Sequence, residues 1–163
     1  MDQLLERLKL CRSQYLEGLA AFPEEKASVK PAGGGWSMLE CAEHVALVEF
    51  GLFRRITSQS TPLREEAGRH REALFLAHGL DRTRKISAPE PAQPSGRFTT
   101  LAEAGEAFAK YRGRTIGWVE TCGENLRLRS IVHPAMGTMT AYECLILMSL
   151  HPLRHLEQMR ELA

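Results

Sequence analysis

Three times along the chain a hydroxyl residue stands three positions ahead of a glutamate at the head of a long amphipathic run: Ser37 before Glu40, Thr100 before Glu103, Thr140 before Glu143. In such a capping box the hydroxyl oxygen accepts a hydrogen bond from a backbone N–H left unpaired at the helix start, and the carboxylate accepts from another. Each pair therefore predicts a helix N-terminus. The helix opening at Ser37 runs to about Ser58, with Cys41, Val45, Val48, Leu52 and Ile56 as its apolar stripe. Its roughly 22 residues span about 33 Å at 1.5 Å each. The helix opening at Thr100 runs to about Thr121 and buries Leu101, Ala104, Phe108, Tyr111 and Trp118. The one opening at Thr140 runs nearly to the C-terminus with Cys144, Leu147, Met148 and Leu162 inward. Ahead of all three, Leu4, Leu8, Cys11, Tyr15, Leu19 and Phe22 recur every three or four residues from Asp2 to Phe22, and Pro23 ends the pattern. Four long helices, each with one apolar stripe, are expected to bury those stripes together as an all-α four-helix bundle. No segment predicts a strand.

The connections constrain how those helices pack. About 40 residues separate the second and third long helices: a charged segment after Pro62 (LREEAGRHREALFLAHGL) that can form one short helix, then the Pro-rich SAPEPAQPSG. Antiparallel neighbours need only about 2–8 connecting residues. A connection this long suits a crossover that travels back along the bundle and sets the second and third helices parallel. The stretch from Gly123 to Met139 is also substantial, and Pro134 and Gly137 mark it as irregular. A chain of 163 residues is one domain's length, so a single domain over 1–163 is expected; at that size roughly 70% of the unfolded surface can be buried without disulfides.

Charge and cysteine usage narrow the partners. With 21 Lys+Arg against 20 Asp+Glu the net charge is +1, which supplies no field for holding many phosphates, so no nucleic acid partner is expected. Cys11, Cys41, Cys122 and Cys144 show no CxxC spacing and fall in helical stretches, as free thiols of a cytoplasmic protein do. Asp2 and Glu6 interrupt the N-terminal apolar residues, unlike a signal peptide, and no run approaches the length that spans a bilayer, so no membrane association is expected either.

The most informative local spacing is His151 and His155. Four residues on a helix advance about 400°, which puts both imidazoles on one face about 6 Å apart along the axis. One divalent ion can bridge that pair, and a third ligand must then come from another helix. His44, mid-way along the second helix and sharing its side with Cys41, Val48 and Gly51, is the best-placed candidate. The alternative for each is a hydrogen-bonded core histidine. His70 and His78 lie in the charged connection and are expected in solvent, while His133 precedes Pro134 in a loop and is expected to be structural. Pro152, between the paired histidines, removes a backbone N–H and crowds the Met148 carbonyl. A kink there either spreads the pair or tilts His155 toward a metal. Gln158, one turn beyond His155, is either an orienting group or a solvated polar residue.

Trp36-Ser37, then His44, then Gly137 and Thr140 ahead of a helix carrying His151-x2-Arg154-His155-x2-Gln158 resembles the DinB/YfiT-like superfamily of metalloenzymes. The motifs touch the second helix, the loop before the fourth, and the fourth; the first and third helices agree in length and pattern only. The resemblance implies an up-down-down-up bundle, often a homodimer, with a divalent metal, nickel or zinc, held by His44, His151 and His155. Of the other motif residues, Arg154 has a salt bridge as its default role and Trp36 that of a core plug beneath the helix start. The resemblance also implies a fork in activity on a small-molecule substrate: a hydrolase, or a transferase using a low-molecular-weight thiol such as bacillithiol or mycothiol. Three neutral imidazoles leave a dication uncompensated, so it attracts hydroxide, thiolate or carboxylate; a three-His zinc brings bound water to a pKa of roughly 7. No HExxH, P-loop or dinucleotide fingerprint is present. Two further expectations stay open: a noncatalytic bundle that binds metal or an anion for stability or sensing, and an interaction bundle without metal.

Overall fold

The computed structural model describes residues 2–83 and 86–163. Its elements in chain order are α1 (Asp2–Ala20), α2 (Met38–Gln59), β1 (Thr61–Pro62), α3 (His70–His78), α4 (Leu101–Thr121), β2 (Arg129–His133), β3 (Gly137–Thr140) and α5 (Ala141–Arg160). The four long helices are those expected from the sequence, and α3 is the short helix of the charged connection.

The boxes close where the sequence placed them, with one variation. At α2 the Ser37 hydroxyl accepts from the Glu40 N–H at 3.2 Å and Glu40 Oε2 accepts from the Ser37 N–H at 2.9 Å. At α5, Thr140 and Glu143 repeat this at 3.1 and 2.8 Å. At α4 the Thr100 hydroxyl accepts from the Glu103 N–H, but the Glu103 carboxylate reaches one residue further back, to the N–H and hydroxyl of Thr99. The Leu101 N–H is taken up by Glu24 from the connection after α1, at 2.7 Å.

Contacts along the helices fix their relative directions. Glu43, near the start of α2, binds the backbone just ahead of α4, while Phe50 and Phe53 further along meet Tyr111 and Trp118, so α2 and α4 run the same way. α1 runs against α4, with Tyr15 on Phe108 and Lys9 paired to Glu120. Gly18 lets α1 approach α5 closely: a Cβ there would come within 2.5 Å of a Leu156 methyl.

The apolar stripes form two clusters. One gathers Leu4, Leu8, Leu52, Ile56, Ile116, Val119, Cys144 and Leu145 toward the sheet, and the other gathers Tyr15, Leu19, Cys41, Val45, Phe108, Leu156 and Met159 toward the opposite end. Between them in the order of α2 and α4 lies a buried ion pair, Glu49 and Arg112, at 2.8 Å. Val48, Leu147, Tyr111, Trp118, Phe22 and Leu162, expected in the core, are half-buried along its margins.

The expectation that no strand forms is overturned. β1, β2 and β3 make a three-stranded antiparallel sheet in that order, with Thr61 opposite Ser130 and Ile131 opposite Met139. Only one face is packed: Ile131 and Met139 are buried, while Val132 is 65% exposed. Pro62 lies on the edge strand, where its missing N–H breaks no central ladder. Pro134 begins the β2–β3 turn and Gly137, at φ +71°, closes it. His133 therefore ends a strand, and its Nδ1 accepts from the Ala135 and Met136 N–H groups at 3.1 Å each.

Candidate metal centre

α2 and α5 bring three histidines to one point. His44 is buried on the second turn of α2 and faces His151 and His155 on α5. Ring centroids are 5.0 Å apart for His44 and His151, 4.8 Å for His44 and His155, and 4.5 Å for His151 and His155. One ligand nitrogen from each lies within 4.8 Å of the others. Pro152 does not spread the α5 pair.

Outer hydrogen bonds decide which nitrogen of each ring carries a lone pair. His44 Nδ1 lies 2.6 Å from the Ala92 carbonyl oxygen, which can only accept, so Nδ1–H donates and Nε2 is bare. His155 Nδ1 lies 3.0 Å from Gln158 Oε1, and Arg82 Nη1 donates to that same atom at 3.1 Å. An arginine has only donors, so the Gln158 atom is an oxygen, and His155 likewise presents a bare Nε2 inward. His44 Nε2 and His151 Nε2 stand 3.2 Å apart. Two nitrogen lone pairs at that distance repel unless a proton or a cation lies between them. Nitrogens sharing one tetrahedral ion at about 2.0–2.1 Å stand about 3.4 Å apart, so the donor set fits a divalent metal.

Burial keeps the rings neutral. It pushes the His44 pKa down against the opposing pull of the Ala92 hydrogen bond, and takes His155 to about 3, with the neighbouring His44 imidazole adding to it. His151 lies well below the ordinary histidine value for the same reason, with the neighbouring imidazoles adding to it. Trp36, expected as a core plug, is half-buried with its ring 4.7 Å from His44 and 6.4 Å from His155, so it walls the cluster.

The remaining candidates lie elsewhere. His70 and His78 are exposed at the two ends of α3, as expected, and His133 is occupied in its turn. The four cysteines are free thiols; burial pushes Cys11 up, Cys41 up to about 12 and Cys144 further still, which leaves those three as neutral core groups. Gln158 is held between His155 and Arg82, whose guanidinium also grips Glu161 at 3.1 and 2.8 Å. Arg154 is half-buried in the electrostatic field of Arg82 and Asp81.

Sequence reasoning missed Glu43 and Ala92. Glu43, 1% exposed, accepts from the N–H groups of Ser95, Gly96 and Arg97 at 2.8, 3.0 and 3.1 Å. It thereby pins the Pro-rich segment against α2 and holds the Ala92 carbonyl beside His44. Spacing gave no signal for it, since Glu43 falls on the side of α2 opposite the stripe of Cys41, Val45, Val48 and Leu52.

A bundle of four long helices with three inward imidazoles and their orienting hydrogen bonds defines the class of helical-bundle proteins with a divalent-metal donor set. The chain belongs to the DinB superfamily, whose sequence profile it matches over residues 7–159. Its fold is similar to that of YfiT from Bacillus subtilis, described as a probable metal-dependent hydrolase with an unusual four-helix bundle topology. That similarity has a TM-score of 0.60 at 14% identity, over 99% of this chain and 84% of the other. No protein of curated function matches the sequence. Among the described residues no helix is long and apolar enough to cross a membrane.

Proposed function

We propose that the chain is a metal-dependent enzyme in which His44, His151 and His155 hold nickel or zinc, and water or a low-molecular-weight thiol attacks a small-molecule substrate. The observation that carries this is the convergence of three neutral imidazoles, two of them with the inward nitrogen left bare by an outer hydrogen bond. When bound, such a metal supplies a lowered pKa to a water or thiol on its open positions. The chain's own residues do the rest: Ala92 and Gln158 hold the tautomers, Trp36 covers two of the rings, and burial keeps protons off the ligands at neutral pH. The test is elemental analysis of the purified protein beside His44→Ala, His151→Ala and His155→Ala. Wild type is expected to hold one equivalent as purified and each variant, with weakened binding, well under one; a full equivalent in all three variants rules the site out.

One observation favours a second reading, a noncatalytic metal or anion site. Three carboxylates on α2 that could serve as a general base are each engaged: Glu40 by its cap and Lys30, Glu43 by the Pro-rich segment, Glu49 by Arg112. Metal-loaded protein incubated with activated esters, and with thiols plus electrophiles, separates the two. Turnover that depends on His44 supports the enzyme, and silence across both substrate sets supports the binding protein.

A further inference from the structure

Pro152 has no backbone N–H, so the carbonyl of Met148, four residues back on α5, has no helical donor. Arg112 from α4 fills that place, with Nη2 2.5 Å from the Met148 oxygen. The same guanidinium donates through Nε and Nη2 to both oxygens of Glu49 on α2, at 2.9 and 2.8 Å, and through Nη1 to the Leu8 carbonyl of α1 at 3.3 Å. Thr115 completes the cluster with a 2.7 Å bond to Glu49. The Arg112 side chain is 0% exposed and that of Glu49 3%. One planar group therefore ties α2 to α5, the two helices that carry the histidines. Glu49 follows His44 by five positions, and Met148 precedes His151 by three.

We propose that Arg112 is a positioning residue for the metal centre: by gripping Glu49 and the Met148 carbonyl together it sets the distance of His44 from His151 and His155. The inference rests on the metal-binding reading above. Metal–nitrogen distances tolerate only about ±0.2 Å, whereas helices joined by apolar packing alone can shift against each other more than that. A rigid guanidinium fork removes the freedom, and the carbonyl it needs is available because position 152 is proline.

Cobalt(II) is the probe, since its visible absorption reports coordination geometry as well as affinity. The paired variant Glu49→Met/Arg112→Met removes both charges and leaves no carboxylate buried alone; the Thr115 hydroxyl keeps its bond to the Tyr111 carbonyl. Its cobalt affinity is expected to fall about 10–100-fold, the usual cost of losing an outer-shell support, with altered absorption bands and unchanged helical circular dichroism. In a His44→Ala background the residual ligands share one helix, so the same pair of substitutions is expected to cause no further loss. Arg112→Lys keeps a charge beside Glu49 but lacks the fork, and is expected to show the same dependence on His44 should the paired variant not fold. Unchanged affinity in the variants with His44 intact overturns the inference, and so does an equal loss in both backgrounds, which is what a merely stabilising role produces. Wild-type protein that binds no cobalt overturns the metal-binding reading itself, and the positioning role with it.

Discussion

A neutral imidazole has one nitrogen lone pair to give, and whatever touches its other nitrogen decides which one. For His155 that decision belongs to Gln158, held in orientation by Arg82. Gln158→Leu keeps the size and removes the acceptor, so metal affinity is expected to drop about 10-fold or more, measured by competition with a chromophoric chelator; an unchanged affinity means the tautomer is fixed by something else. Desolvation of the three rings, with His44 buried and His151 and His155 half-buried, carries a second consequence. In the unfolded chain each takes a proton near pH 6.5, while in the metal-free fold His155 waits until about 3 and His44 and His151 also stay below their ordinary value. Between those limits the unfolded state binds more protons, so stability rises with pH there. It is complete above about pH 7 and is lost as the pH falls from about 6.5 toward 3. The urea midpoint of metal-free protein should fall between about pH 6.5 and 5, above the carboxylate range, and should do so less steeply in His155→Gln; a flat midpoint there means the rings are not buried neutral. The three histidines were legible because two share a helical spacing and the third sits in an apolar stripe. Their supports were not, since a backbone carbonyl such as that of Ala92 has no signature in the sequence.

At the scale of elements, helices were legible and strands were not, for one reason. A capping box and a repeating stripe are local and span many residues, whereas β1 has two residues and finds its partner in β2, nearly 70 positions away. β2 shows no clean alternation, because only Ile131 and Ser130 are buried. The same distance hid the buried ion pair. Phe108, Arg112, Thr115 and Val119 share one face of α4, but a stripe drawn through Tyr111 and Trp118 passes Arg112 by, and its partner Glu49 lies on another helix. That pair makes an asymmetric prediction for stability. Arg112→Met alone strands the Glu49 carboxylate and frees the Met148 carbonyl, and is expected to cost about 3–5 kcal/mol, while Glu49→Met/Arg112→Met leaves only the Met148 carbonyl unpaired and is expected to cost about 1–3 kcal/mol. Urea unfolding of the three proteins measures both; equal destabilisation by the single and paired variants shows that the stranded charge is not the cause.

For the molecule as a whole, the long connection between α2 and α4 does two things that loop length alone did not distinguish. It returns the chain so that α4 can run alongside α2, and through Glu43 and Ala92 it supports the histidine cluster from outside the bundle. A metal held by His44, His151 and His155 would therefore couple α2, α5 and the Pro-rich segment at once, contacts that exist together only in the folded chain. Whatever binds the native state and not the unfolded one stabilises it by RT ln(1 + [L]/Kd), about 2.7 kcal/mol at a hundred times Kd. For a chain of this length each kcal/mol moves Tm by about 2–4 °C, so saturating nickel or zinc should raise Tm by about 5–10 °C. Excess chelator should reverse the shift, and His44→Ala should shrink it, because α5 alone would hold what remains. A shift that survives His44→Ala at full size would mean that the metal engages α5 and the surface instead of bridging the bundle, and the three-histidine centre would then have no thermodynamic role in the fold.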